Sequence, residues 1–271
     1  MDCSRVFAKH SAAADGGRNG LLSRPGSRVG EIAVLDGQEG RHAATVRRIG
    51  VGERLVLADG RGRVADAEVT SVGKDRLELL VSDVQVLEQP KPLVTLVQAL
   101  PKAERSELAV ELATEAGIDA VIPWQSLRCV AKWEGPPKLA KGVARWRSAA
   151  VSAAKQSRRA FVPEIAELHK TPAVIALVRD AVARGAVVAV LHESATTPLA
   201  GLPLASADEV FLVVGPEGGL DDSEISALSE AGATPVLLGP TVLRTSTAGG
   251  AVALGAIGVL TDRWGGPRPL H

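Results

Sequence analysis

Two stretches in the second half of the chain carry the residue types best suited to hold a ligand. The first is Val213-Val214-Gly215-Pro216-Glu217-Gly218-Gly219-Leu220, followed at once by Asp221-Asp222-Ser223-Glu224-Ile225. An apolar run there enters a turn whose glycines have no β-carbon, so the main chain can take positive φ and bring its amides against a ligand. Asp221 and Glu224 have the D-x-x-E spacing of a capping box, which fixes the start of a following helix. A turn between strand and helix lies beyond the carboxyl end of the strand, the place where open α/β sheets bind ligands. The second stretch, Leu237-Leu238-Gly239-Pro240-Thr241-Val242-Leu243-Arg244-Thr245-Ser246-Thr247, repeats the plan. A strand ends at Leu238, a Gly-Pro loop follows, and hydroxyl residues suited to an N-cap open a helix.

What these turns exclude narrows the ligand. G-x-x-G-G is not the dinucleotide spacing G-x-G-x-x-G, and no acidic ribose partner stands at a strand end about 20 residues on. No Gly-Lys-Ser/Thr follows either, and Glu217 inside the turn repels a phosphate. A neutral or cationic ligand that presents hydrogen-bonding edges to main-chain groups suits the turn better, and S-adenosylmethionine has that character. Glycine and proline are also ordinary turn residues, and Arg244 alone reads as a surface cation. The weight rests on the two stretches together. Cys3 and Cys129 are the only cysteines, far apart and without clustered histidines, so neither a disulfide framework nor a metal site is expected.

The elements that must position these turns follow from hydrophobic patterning. Hydrophobic residues make up 46% of the 271, enough for a core in one large domain or two modest ones. The first part predicts short strands over 31–35, 54–58, 63–72 and 76–84, with Gly/Asp turns between them and one helical interruption over 40–49. That spacing suits a small β-barrel. Glu88-Gln89-Pro90-Lys91-Pro92 then breaks the pattern, since two prolines disfavour helix and sheet and stiffen a connector. Beyond it strands and helices alternate, with strands over 93–100, 120–123, 187–192, 209–214 and 236–238. Helices are expected over 104–116, 139–157, 172–184, 223–231 and 247–260. Such alternation implies a parallel sheet covered on both faces.

The formal net charge of zero conceals an asymmetry. Between Arg128 and Arg159 nine basic residues face one acid, Glu134, whereas from Ala160 onward twelve acids face six bases. A basic stretch is commonly a solvated face, and it also serves a polyanionic partner. The opening residues lack the apolar core of a signal peptide, and 248–260 is too short and glycine-broken to span a bilayer. A cytoplasmic protein without a membrane partner is expected.

Further stretches join the two turns: KAERSELAVELATEAGIDAVIPWQSLRCV, AAKQSRRAFVP, Arg5-Val6-Phe7 and RHAATVRRIGVGERLVLADG. With GPEGGL–SEI and LG–VLRT–TA they resemble the RsmE family of ribosomal RNA uridine-N3 methyltransferases, in the SPOUT superfamily, over nearly the whole chain. The resemblance implies an N-terminal PUA-like β-barrel over 1–89 that binds RNA. It implies a C-terminal SPOUT α/β domain over 90–271, with a deep trefoil knot, that binds S-adenosylmethionine and dimerises. The implied cofactor cleft is made of three loops: Leu191, His192 and Glu193; Gly215, Pro216, Glu217, Gly218 and Gly219; and Leu238, Gly239, Val242 and Leu243.

On this reading Arg244 stabilises the uracil anion as the N3 proton leaves, and Glu217 is a proton acceptor or a cofactor-orienting group. RNA contacts fall to Arg5, His42, Arg47 and Arg48 in the barrel and to Arg128, Lys155, Arg158 and Arg159 in the basic stretch. The implied partners are 16S rRNA within the 30S ribosomal subunit and a second copy of the chain packed near the final helix. Trp124, Trp133, Trp146 and Trp264 read as packing residues ahead of base-stacking ones. Pro240, Thr241 and Ser246 depart from residues common in the family, and Ser11 to Gly26 reads as an insertion. A SPOUT enzyme acting on tRNA or 23S rRNA, or a non-catalytic RNA-binding protein, are the alternatives.

Overall fold

The computed structural model describes residues 28–102 and 105–261, together with the main chain of Arg5–Phe7. The Ser11 to Gly26 insertion, Cys3, Trp264 and the side chain of Arg5 lie outside the described residues. The chain divides into two compact units. Of the described residues, one unit comprises those up to 89 together with 157–162, and the other those from 90 to 156 and from 163 to 261.

The first unit is a five-stranded sheet. Its strands are β1 (Arg5–Phe7), β2 (Ile32–Leu35), β3 (Arg54–Ala58), β4 (Arg63–Val72) and β5 (Leu77–Val86), in the order β1-β3-β4-β5-β2. All neighbours run antiparallel except β1 and β3. Alternation puts one face of each strand inside, so Leu55 and Leu57, Ala65, Ala67 and Val69, and Leu77, Leu79 and Val81 form the core with Leu35 and Ile49. Register shifts at Asp66/Ala67 and Val69/Ser71 mark bulges, which bend a long hairpin. The sheet path ends at β1 and β2, with no pairing between them among the described residues. The helical interruption starts earlier than the pattern suggested, as α1 (Gly37–Arg41), and widens into π-type turns over His42–Val46.

Residues 157–162 return to this unit from far along the chain. Gly62 N donates to Ala160 O (3.1 Å), Val162 N donates to Gly60 O (2.9 Å), and Arg61 and Phe161 form an antiparallel bridge. The sequence pattern, read as one linear boundary near residue 90, had no place for this segment.

The second unit is a parallel sheet of seven strands. In chain order they are β6 (Leu93–Ala99), β7 (Ala120–Gln125), β8 (Glu164–Ile165), β9 (His169–Lys170), β10 (Val187–Leu191), β11 (Glu209–Val214) and β12 (Thr234–Val236). The order is β12-β10-β11-β6-β7-β8, with β9 also paired to β7. Val210 to Val214 are all buried, the continuous apolar run expected of a strand covered on both faces. Helices α2 (Ser106–Glu115), α3 (Pro136–Gln156) and α6 (Thr245–Leu254) pack as one group, and α4 (Thr171–Ala183) packs with α5 (Asp222–Glu230). Helix α6 continues into π-type turns over Gly255–Leu260. Trp124 and Trp146 are fully buried, and Trp133 meets Trp146 edge to face at 5.2 Å, so these three rings are packing residues. No helix among the described residues is long and apolar enough to cross a membrane.

Candidate active site

Strands β10, β11 and β12 lie side by side, so the three loops that leave their carboxyl ends converge. Between them is a cleft of about 370 Å³, within the size range of small-molecule sites. Its walls are Leu191, His192, Glu193 and Ser194 after β10; Val214, Gly215, Pro216, Gly218, Gly219, Leu220 and Asp222 after β11; and Val236 through Leu243 after β12. Thr245 and Ala248, in the first turns of α6, and Arg128, in the loop after β7, complete it.

The glycines of the central turn have separate reasons. A β-carbon on Gly215 would stand 2.9 Å from Leu220 Cγ, so this position must be bare for Leu220 to fold back and be buried. Gly219 has φ +72°, the left-handed region that L side chains avoid. Gly218 has neither constraint: its nearest neighbours would be Arg128 Cβ and O at 3.7 Å. Gly219 and Gly239 thus border open space and Gly218 has room beside Arg128, and all three line the cleft with bare main chain, as a site that reads a ligand through backbone groups requires. His192 Nδ1 accepts from Ser194 N at 3.3 Å, within the loop after β10.

Of the residues expected around the cofactor, all line this one cleft except Glu217. Glu217 faces elsewhere, and its Oε1 accepts the main-chain N–H of Lys102 at 3.0 Å, tying the turn to the loop after β6. Arg244 is exposed and stands at the N-cap position of α6, between the cleft residues Leu243 and Thr245. Among the described residues its guanidinium has no acidic partner. Arg128, expected with the RNA-binding group, is part of the cleft wall, and it pairs with Asp221 at 3.0 Å. Lys155, Arg158 and Arg159 do not line the cleft, and His42, Arg47 and Arg48 are exposed in the first unit.

A carboxylate that pattern reading credited only with a helix cap does more. Both halves of the capping box form: Asp221 Oδ1 accepts from Ser223 N (3.1 Å), and Glu224 Oε2 accepts from Asp221 N (3.2 Å). Glu224 Oε1 also accepts from Leu127 N (2.9 Å) and from the Thr171 hydroxyl (2.7 Å). Thr171 in turn accepts from Trp124 Nε1 (3.2 Å). Hydrogen bonds from the Ser223 hydroxyl and amide, and then the Arg128 guanidinium, hold the Asp221 carboxyl below its ordinary range. Burial pushes up the thiol of Cys129, beside Arg128.

A cleft at the ends of parallel strands, built from loops and glycine main chain, places the second unit among ligand-binding α/β domains. Family models refine that class. Residues 88–258 match an RNA methyltransferase domain and residues 35–82 an RNA methyltransferase PUA domain. A ribosomal RNA small subunit methyltransferase E from Mycobacterium tuberculosis is 55% identical over 236 residues, 87% of this chain and 89% of its own. The crystal structure of a ribosomal RNA small subunit methyltransferase E from Neisseria gonorrhoeae, bound to S-adenosyl methionine, superposes with TM-score 0.78 at 25% identity, covering 95% of this chain and 98% of its own. A putative methyltransferase from Legionella pneumophila with bound SAM gives the same TM-score at 26% identity and the same coverage. The chain belongs to the ribosomal RNA small subunit methyltransferase E family.

Proposed function

We propose that this chain methylates N3 of a uridine in the decoding region of 16S rRNA, with S-adenosylmethionine as donor and the assembled 30S subunit as substrate. The observation that carries the reading is the cleft at the ends of β10, β11 and β12, bare of side chains at Gly218, Gly219 and Gly239, in a chain of this family. The residues fit the cofactor. Main-chain groups of the three loops meet its polar edges, Leu191, Val236 and Leu243 give apolar walls, and Glu193 and Asp222 favour a cationic ligand. Bound there, the cofactor supplies a methyl group already activated on a sulfonium.

The protein's part is to position the base, exclude water and stabilise charge as the N3 proton leaves. Arg244, exposed at the N-cap of α6 next to the cleft, is the candidate for that charge. Glu217 serves as the group that orients the cofactor turn, because its carboxylate is engaged with Lys102 N and lies off the cleft wall. RNA phosphates are met by Arg5, His42, Arg47 and Arg48 and by the basic stretch that includes Lys155, Arg158 and Arg159. The SPOUT knot, a homodimer packed near α6 and a cytoplasmic location belong to the same reading.

The test is mass spectrometry of 16S rRNA from cells lacking the protein, with the purified protein then added to their small subunits. Loss of 3-methyluridine in the cells and its return in vitro are expected; unchanged modification sinks the proposal. In the same assay Arg244→Ala should keep cofactor affinity while slowing transfer by about a hundredfold, the usual scale for losing a charge-stabilising donor.

A further inference from the structure

We infer that Glu224 is a positioning residue for the reaction, acting through Arg128: it holds the loop after β7 so that the guanidinium stands at the cleft to take a phosphate oxygen of the RNA. This rests on the methyltransferase reading above. Glu224 is 1% exposed, and a carboxylate that deep is stable only when its lone pairs are used. A helix cap needs a single bond, the one from Asp221 N, and a cap is ordinarily formed at the surface. The other two donors come from segments 97 and 53 positions away.

One of them is the amide of Leu127, immediately before Arg128. Leu127 itself is 64% exposed, so packing of its side chain does not hold the loop there. On the far side Cys129 is buried. Between these two anchors Arg128 is turned to the cleft wall, where Asp221, the first residue of the same capping box, pairs with it. That ion pair is about half exposed on the arginine side, so it is weak and exchangeable for a phosphate, with which arginine makes forked charge-assisted bonds. The glycine turn does not depend on Glu224 in the same degree. It has its own brace in Lys102 N to Glu217 and an internal bond from Gly219 N to Pro216 O.

The two halves of the site should therefore separate when Glu224 is changed. The experiment measures steady-state methylation of small ribosomal subunits, and calorimetric binding of S-adenosylhomocysteine, for wild type, Glu224→Gln, Arg128→Ala and the double variant. Each single change should raise KM for the subunits about tenfold, the scale of one lost charge-assisted contact. For Glu224→Gln, affinity for S-adenosylhomocysteine should stay within about threefold, because the turn keeps its own brace, and the KM of the double variant should be no worse than that of Arg128→Ala, since residues acting as one unit are not additive. Additive effects, or cofactor affinity falling in step with KM, would overturn the inference.

If Glu224→Gln does not fold, Thr171→Val removes one donor to the same oxygen and Thr171→Ser restores it. The valine variant should show the same split and the serine variant should recover. An unchanged KM for valine, or no recovery with serine, overturns the inference too. Wild type that transfers no methyl to small subunits sinks the functional reading itself, whereas active wild type with unsplit variants sinks only the role of Glu224.

Discussion

Three neighbouring glycines look alike in sequence and differ in what they permit. Gly215 is needed by the protein itself, because a β-carbon there meets Leu220, whereas Gly218 has room for one. Gly218→Ala should accordingly leave stability within about 0.5 kcal/mol of wild type, as substitutions that touch little usually do, while weakening binding of S-adenosylhomocysteine if the ligand lies against that main chain. Gly215→Ala should lower the melting temperature and the affinity together. Thermal melts and calorimetry on the two proteins decide it: if Gly218→Ala binds as wild type does, the ligand does not approach that residue. Sequence could mark all three positions as bare main chain but could not rank them, because Leu220 and Arg128 impose the difference through folding. Where the side chains of Glu217 and Arg128 stand was not legible for the same reason. Their side chains answer to Lys102 and Asp221, over 90 positions away in each case, and no local pattern carries that pairing.

Among the elements, α5 carries the clearest electrostatic signature. Its cap, Asp221, accepts from Ser223 and pairs with Arg128, so its carboxyl loses its proton more readily folded than unfolded. A carboxylate depressed in the folded state contributes stability above its unfolded pKa, and that contribution is lost as pH falls through the folded value. The contribution should thus be constant from neutral pH down to about 5 and fade below about 4, the ordinary aspartate range. Asp221→Asn keeps an oxygen able to accept from Ser223 N and removes the charge. The difference in melting temperature between wild type and Asp221→Asn should be flat from pH 8 to 5 and shrink below that, and added salt should reduce it, since the pair is partly exposed. A difference that already fades between pH 7 and 5 would assign it to another group. The D-x-x-E spacing announced this helix start correctly, as the apolar run announced β11. Helix ends were less legible: α3 begins at Pro136 and α6 at Thr245, each a few residues before the apolar pattern suggested, because prolines and hydroxyl residues can open a helix without adding to its apolar face.

Across the whole molecule, the segment 157–162 makes the first unit discontinuous in sequence. Composition located the proline-rich connector, since prolines are a local signal. It could not reveal that Ala160, Phe161 and Val162 pair with Gly60, Arg61 and Gly62, because a short edge pairing has no periodicity to read. A fragment beginning at Pro90 consequently carries this segment without its partner strand. The cleft residues, 128 and 191–248, are all present in such a fragment, so it should still bind S-adenosylhomocysteine. Lacking Arg5, His42, Arg47 and Arg48, it should show a shallower dependence of RNA affinity on salt than the full chain, as fewer phosphates are neutralised. The orphaned segment supplies the sharper readout. Arg158 and Arg159 are tryptic sites, and in the full chain the pairing next to them protects the backbone from local opening. Limited trypsin digestion should cut the fragment after these arginines at least about tenfold faster than the full chain, the effect of removing roughly 1.4 kcal/mol of local protection. Equal rates would mean that the bonds between 60–62 and 160–162 do not hold the segment in solution, and that the first unit ends at residue 89.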